Sequence, residues 1–239
     1  RKIISLSGKD TKTLNLSLPP RNVSKYRRGK TLIIVGSSKY HGAAMLAIQG
    51  ALASGTGLVK AILPEEISRS IWQYAPELVV EGILESSNEG NSIMNRKLNE
   101  LNLNQFDSIM IGPGIGIDSQ DWSKSEEKLK SFNGLLILDA DALNRISRSN
   151  SGNEFFLERQ SDTWITPHYG EFKRLFPDLD FKNNLEAALY VAKKFNIGIL
   201  LKGANSIIAD SENIAWQIYD SNFTSARAGL GDLLSGFIA

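Results

Sequence analysis

Gly229-Leu230-Gly231-Asp232, running directly into Leu233-Leu234-Ser235-Gly236-Phe237-Ile238, is the segment whose residue types ask most plainly for chemistry. Glycines that open an apolar helix leave backbone N–H groups unobstructed, and the helix dipole adds to their pull on an anion. Gly229, Leu230 and Gly231 would form such an anion hole, able to hold a transferring phosphoryl group. Asp232, in the first turn, could then take the proton of a hydroxyl attacking phosphorus, the work of a general base. For the tetrapeptide alone, a plain helix-start aspartate is the alternative. Neither a P-loop nor protein-kinase motifs occur.

Other unusual residues follow short apolar runs. Lys202 heads Lys202-Gly203-Ala204-Asn205-Ser206, where it could meet nucleotide phosphate while Ser206 and nearby backbone hold the rest; a solvated strand end is the alternative. His168 stands in Thr166-Pro167-His168-Tyr169-Gly170-Glu171, a setting in which a structural histidine is equally at home. Asp139 and Asp141 could be paired acids, although Asp141 before Ala142-Leu143 also suits a helix N-cap. Gly112-Pro113-Gly114-Ile115-Gly116 invites a dinucleotide-fingerprint reading, with Asp139 where a ribose-binding acid would fall. Ile117 occupies the place of the last fingerprint glycine and Pro113 removes one N–H from the cradle, so a tight turn competes with ligand contact.

The elements that must position these residues alternate. Leu32-Ile33-Ile34-Val35, Val59-Lys60-Ala61-Ile62-Leu63, Ser108-Ile109-Met110-Ile111, Leu135-Leu136-Ile137-Leu138, Trp164-Ile165-Thr166 and Ile197-Gly198-Ile199-Leu200-Leu201 read as strands, most of them buried on both faces. Helix-compatible segments separate most of them, including the small-residue run 42–53 and the amphipathic run 185–195. Parallel pairing with right-handed crossovers follows. Ser206-Ile207-Ile208-Ala209 and Ile214-Ala215-Trp216-Gln217-Ile218-Tyr219 flank the polar cluster Asp210-Ser211-Glu212-Asn213 as a β-hairpin. The expected fold class is therefore α/β, a doubly wound, mostly parallel sheet with an antiparallel edge hairpin. Ligands of such sheets bind beyond the carboxyl ends of the strands, where Gly36-Ser37-Ser38 and the segments opening at Gly112, Asp139, Thr166 and Lys202 each follow an expected strand.

Residues 1–29, closing on Leu18-Pro19-Pro20-Arg21, read as a leader or linker, and 30–239 as one domain. A start at Arg1 and a stop inside an apolar helix suggest a piece of a longer protein, truncated at its C-terminal end. With 27 Lys and Arg against 26 Asp and Glu, the net charge of +1 gives no global reason to expect nucleic acid or an anionic membrane as partner. The absence of cysteine excludes disulfides, zinc–thiolate sites and thiol nucleophiles. No apolar run suits a bilayer span or secretory signal, which makes a cytoplasmic protein the default expectation.

Taken in order, these motifs resemble the ADP-dependent NAD(P)H-hydrate dehydratases of the ribokinase-like superfamily, from about residue 30 to residue 239. The matching segments are Gly36-Ser37 with Tyr40-His41-Gly42-Ala43-Ala44, Ser54-Gly55-Thr56-Gly57-Leu58-Val59, Gly112-Pro113-Gly114-Ile115-Gly116, Leu138-Asp139-Ala140-Asp141-Ala142-Leu143-Asn144, Thr166-Pro167-His168-Tyr169-Gly170-Glu171-Phe172, Lys202-Gly203-Ala204-Asn205-Ser206 and Gly229-Leu230-Gly231-Asp232. The resemblance implies a three-layer α/β/α ribokinase-like fold. It also implies that Ala43, Gly114, His168 and Asp232 contact the hydrated dinucleotide, that Lys202, Gly203, Ala204, Asn205, Ser206 and Gly231 hold the adenine nucleotide, and that Asp232 is the catalytic base. ADP, or ATP, would be the co-substrate.

Glu171 occupies the place where superfamily kinases carry an acid that positions Mg2+ through water, and His168 replaces their usual asparagine. The implied reaction activates the hydroxyl of a hydrated nicotinamide ring by phosphoryl transfer and then expels it as phosphate, restoring NAD(P)H. A homo-oligomer, a tetramer among the candidates, and a fused or separate NAD(P)H-hydrate epimerase are the partners implied. Ser206 stands where the family usually has threonine, and Leu230 replaces a smaller or polar residue. A thiazole or hydroxymethylpyrimidine kinase of the same superfamily is the main alternative, disfavoured by the His168 motif and the Ala43 loop. A non-catalytic nucleotide-binding regulatory module is the second, against which Asp232 counts.

Overall fold

Burial on both faces explains the apolar runs. The computed structural model describes residues 2–6, 22–219 and 227–239. In chain order its strands are β1 (Lys2–Leu6), β2 (Lys30–Ile34), β3 (Leu58–Pro64), β4 (Val79–Ser86), β5 (Ser92–Ile93), β6 (Ser108–Ile111), β7 (Leu135–Leu138), β8 (Thr163–Ile165), β9 (Gly198–Leu201), β10 (Ile207–Ala209) and β11 (Ile214–Ile218). The helices are α1 (His41–Ala53), α2 (Glu65–Ser68), α3 (Asn95–Glu100), α4 (Ser119–Lys130), α5 (Asp141–Arg148), α6 (Glu154–Glu158), α7 (Tyr169–Leu175), α8 (Asn184–Phe195) and α9 (Leu230–Ile238). Because successive strand side chains point to opposite faces, Leu32 and Ile34 enter one core with Trp122 and the Phe155–Phe156–Phe176 aromatics, while Ile33 and Val35 enter the other, against α1.

Among the described residues the strands form one sheet, ordered β1-β11-β10-β9-β8-β7-β6-β2-β3-β4-β5. Every neighbour pair from β9 through β8, β7, β6, β2 and β3 to β4 is parallel, and β9–β10–β11 is antiparallel. β2 lies between β3, which follows it in the chain, and β6, which is reached after a long excursion. That reversal is the switch point at which open α/β sheets form a crevice.

Two expectations change. Residues 1–29 are not wholly a leader: β1 pairs in parallel with β11, so the anticipated edge hairpin lies one strand inside the edge. A five-residue strand, lacking a long apolar run, leaves little periodicity to read. The pair Pro19-Pro20 lies outside the described residues. Toward the opposite edge, where the two-residue β5 pairs antiparallel with β4, β4 carries no obvious apolar run because most of its residues stay partly or fully exposed.

Small residues set the closest helix contact. A Cβ on Gly50 would stand 2.0 Å from the Leu233 carbonyl oxygen, and one on Gly236 would stand 1.9 Å from that of Ala47, so α1 and α9 meet backbone against backbone. Among the described residues no helix is long and apolar enough to cross a membrane.

Candidate active site

Four acids and one lysine gather where the strands end. Asp139 leaves β7 fully buried, and its Oδ1 accepts from Lys202 Nζ at 2.8 Å. Lys202 reaches it from the end of β9, where its backbone N–H also donates to Pro167 O at 2.8 Å and joins the β8 and β9 loops. Gly231, in the first turn of α9, faces the same lysine: a Cβ there would lie 3.2 Å from Nζ. Glu171 in α7 and Asp141 in α5 complete the group.

Burial raises the pKa of Asp232, Glu171 and Asp141. It pushes the Asp232 carboxyl up to about 6; Asp139 adds to the rise, Lys202 opposes it, and Asp141 and Glu171 add further. Glu171 is also raised, by burial first, against the opposing His168 N–H bond. Asp141 is raised by burial and held back by the N–H of Gly116, which donates to its Oδ2 at 2.9 Å. Burial first, and crowding of carboxylates around a single lysine second, thus bring the Asp232 carboxyl toward neutral pH.

Helix starts and strand ends aim the side chains. Gly229 begins α9 with φ +84°, a left-handed geometry that suits glycine, and its Cβ would strike Leu46. Leu233 N–H makes the first helical bond, to Gly229 O, so the N–H groups of Leu230, Gly231 and Asp232 precede the helical ladder. N–H groups left outside the ladder at a helix start can receive an anion, the role expected of Gly229, Leu230 and Gly231; the Leu230 side chain is exposed. Between the two acids of the β7 loop, Ala140 adopts φ 48° and ψ −117°, a strained conformation that separates Asp139 from Asp141. Asp141 is therefore not the N-cap of α5; it is the first helical residue and grips the glycine loop.

His168 serves locally as well. It caps α7, its Nδ1 accepting from the N–H groups of Gly170 (2.9 Å) and Glu171 (3.3 Å), while Glu171 Oε2 accepts from the His168 N–H at 2.9 Å. The ring remains half exposed, with Nε2 3.4 Å from Glu171 Oε1. On the switch-point side, Gly114 (φ +71°) packs beneath Tyr40 and Ala43; an added Cβ would meet Tyr40 Cβ at 2.8 Å and Ala43 Cβ at 3.0 Å. Gly36 N–H donates to Pro113 O at 2.8 Å, fastening the two loops together.

Residues 203–206 form a tight turn closed by Ser206, whose Oγ donates to Gly203 O at 3.0 Å. A cavity of about 510 Å³ opens beside it, lined by Lys202, Gly203, Ala204 and Asn205 from the turn, with Asn183 and Leu185 opposite. That volume suits a small-molecule ligand. Lys202 belongs both to this cavity and to the acid cluster and so links the two.

As for Mg2+, among the described residues no three acidic or histidine side chains lie close enough to hold an ion directly. Asp139 Oδ2 and Thr166 Oγ1 are buried without hydrogen-bond partners at the ends of the adjacent strands β7 and β8. A hydrated ion that keeps its waters and uses phosphate oxygens fits such donors.

Arg145 escaped the sequence reading. It is fully buried and bonds the glycine loop from behind through Gly116 O at 2.7 Å. The available signal was its place three residues after Ala142 and one before Ile146, on the buried stripe of α5.

Sheet order, switch-point crevice and the glycine-led helix carrying Asp232 define a ribokinase-like fold, shared with a ribokinase-like superfamily protein of Enterococcus faecalis at a TM-score of 0.79 and 24% identity. The chain belongs to the NAD(P)H-hydrate dehydratase family, whose model matches residues 31–239. It is 38% identical over 226 residues to the bifunctional NAD(P)H-hydrate repair enzyme of Synechocystis sp., covering 95% of this chain and 41% of that protein. Identity to the ADP-dependent (S)-NAD(P)H-hydrate dehydratase of Xanthomonas campestris pv. campestris is 30%, covering 93% of this chain and 75% of that protein. The crystal structure of the ADP/ATP-dependent NAD(P)H-hydrate dehydratase of Bacillus subtilis, co-crystallized with ATP and Mg2+, superposes with a TM-score of 0.75 at 27% identity, covering 93% of this chain and 75% of that one. The chain thus spans less than half the length of the Synechocystis relative.

Proposed function

We propose that this chain dehydrates the hydrated forms of NADH and NADPH at the expense of ADP, or ATP, releasing AMP and phosphate when ADP is used. The observation that carries the reading is the Asp232 carboxyl, raised to about 6 at the tip of a glycine-led helix and opposed by Lys202, which also lines the neighbouring cavity.

In this reading the nucleotide enters the 510 Å³ cavity, contacted by residues 202–206 and Gly231. Its terminal phosphoryl group meets the N–H groups of Gly229, Leu230 and Gly231. The dinucleotide lies over Ala43 and Gly114, with His168 Nε2 available to it and its ring hydroxyl facing Asp232. Asp232 accepts the hydroxyl proton as the oxygen attacks the terminal phosphorus, and the bond from that phosphorus to AMP breaks. The ring carbon–oxygen bond then breaks with loss of phosphate, the neighbouring ring carbon gives up a proton, and the double bond returns. Mg2+, held through water by Glu171 with Asp139 nearby, would neutralise phosphate charge.

The naming of relatives as bifunctional supports a second repair activity beside this one, which we assign to hydrate epimerisation. A cytoplasmic homo-oligomer completes the proposal. Incubation with NADPH hydrate and ADP is expected to restore NADPH absorbance, while Asp232→Asn loses about 10²–10⁴-fold in kcat and retains ADP binding. Full turnover in Asp232→Asn removes that carboxylate from the mechanism; phosphorylation of a thiazole or pyrimidine alcohol with no action on the hydrate makes the chain a kinase instead.

A further inference from the structure

We propose that the buried Arg145–Asp121 pair is a positioning device for the dinucleotide side of the site, setting the 112–116 loop through the carbonyls of Ile115 and Gly116. The proposal rests on the dehydratase reading for its kinetic consequence, though not for its geometry.

Arg145 has no solvent exposure, and four of the five guanidinium donors are used. Nε donates to Gly116 O (2.7 Å), Nη1 to Asp121 Oδ2 (2.7 Å), and Nη2 to both Ser92 O (2.7 Å) and Ile115 O (2.8 Å). Asp121 is almost as buried and receives, besides Arg145, the N–H groups of Met94 and Asn95. One ion pair therefore ties α4 and α5 to the start of α3, to β5 and to the glycine loop.

Stability alone gives a weak reason for such a pair, because apolar side chains of matching volume often serve as well in a core. Its geometry gives a better one. Gly116 is held on both sides, by Arg145 at its carbonyl and by Asp141 at its N–H. Ser92 extends the grip: its N–H donates to Ile115 O and its Oγ to Gly36 O at 2.7 Å, and Gly36 in turn bonds Pro113. Both switch-point loops are thus referenced to one guanidinium, whose planar fork matches several acceptors at once in a way an ammonium cannot. Gly114, against Ala43, sits between the held points.

Steady-state kinetics on NADPH hydrate at saturating ADP distinguish positioning from mere support of the fold. Arg145→Lys keeps the charge without the fork, and the double variant Arg145→Met/Asp121→Leu leaves no unpaired charge inside. Both are expected to keep ADP affinity within about twofold while KM for the hydrate rises by roughly one order of magnitude and kcat changes less. A folded double variant with native KM overturns the proposal.

Hydrogen exchange tests the device if neither variant folds. In the unmodified protein the Ile115 and Gly116 amides should exchange as slowly as those of β6, and exchange at loop rates would refute it. An unmodified protein without turnover on the hydrate defeats the dehydratase reading alone. Exchange on Arg145→Lys still decides the geometric claim: roughly hundredfold loss of protection at both amides is expected, and unchanged protection contradicts it.

Discussion

In the proposed reaction Asp232 would acquire its reactivity from its neighbours. An aspartate in water is ionised far below neutrality and is a poor proton acceptor; burial beside Asp139 brings this one to about 6. Only the ionised form can accept a proton, so kcat/KM is expected to fall with unit slope as pH drops through about 6. Lys202 opposes that rise, so Lys202→Met should move the acid limb to higher pH. The same change leaves buried Asp139 without its cation and should lower stability by about 3 kcal/mol. An acid limb that stays in place would show that Asp232 does not set it. Asp232, His168, Glu171 and Lys202 were legible as residue types after strand ends or at a helix start. The capping role of His168 has a local signal, Glu171 three residues on, but histidine is not among the usual cap residues; the Lys202–Asp139 pair has none, since its partners are 63 positions apart.

At the scale of elements, α1 and α9 set the site's geometry. The C-terminal half of α1 packs on α9, while its N-terminal end carries Ala43 and the start of α9 carries Asp232. Gly236→Ala places a methyl group 1.9 Å from the Ala47 carbonyl oxygen, which only a shift of one helix can relieve. The expected cost is about 1–3 kcal/mol, read as a lower Tm. The moved carboxylate should also lose on the order of 10²-fold in kcat. Native kcat in that variant would mean that α9 tolerates displacement. Helix 42–53 was readable from its small residues, and strands β2, β3, β6, β7 and β9 from runs buried on both faces. The partnership of α1 with α9 was not, because their contacting glycines are 186 positions apart, from Gly50 to Gly236.

For the whole molecule, nucleotide binding should couple to unfolding. A ligand that binds only the folded state at a hundred times its Kd adds about 2.7 kcal/mol. For a chain of this size that corresponds to a Tm rise of roughly 5–10 °C with ADP. A Tm indifferent to ADP and to ATP would remove the nucleotide from the cavity beside Lys202.

The amino-acid sequence by itself determined the fold class, the strand-end location of the candidate residues and the order of motifs. These depend on local periodicity and on residues close together in the chain. Only the tertiary structure decided which charges meet, how far the Asp232 carboxyl is raised, that β1 closes one edge of the sheet, and that Arg145 reaches the glycine loop. Burial and electrostatic coupling depend on distances in space between segments remote in sequence, and those distances exist only once the sheet has assembled.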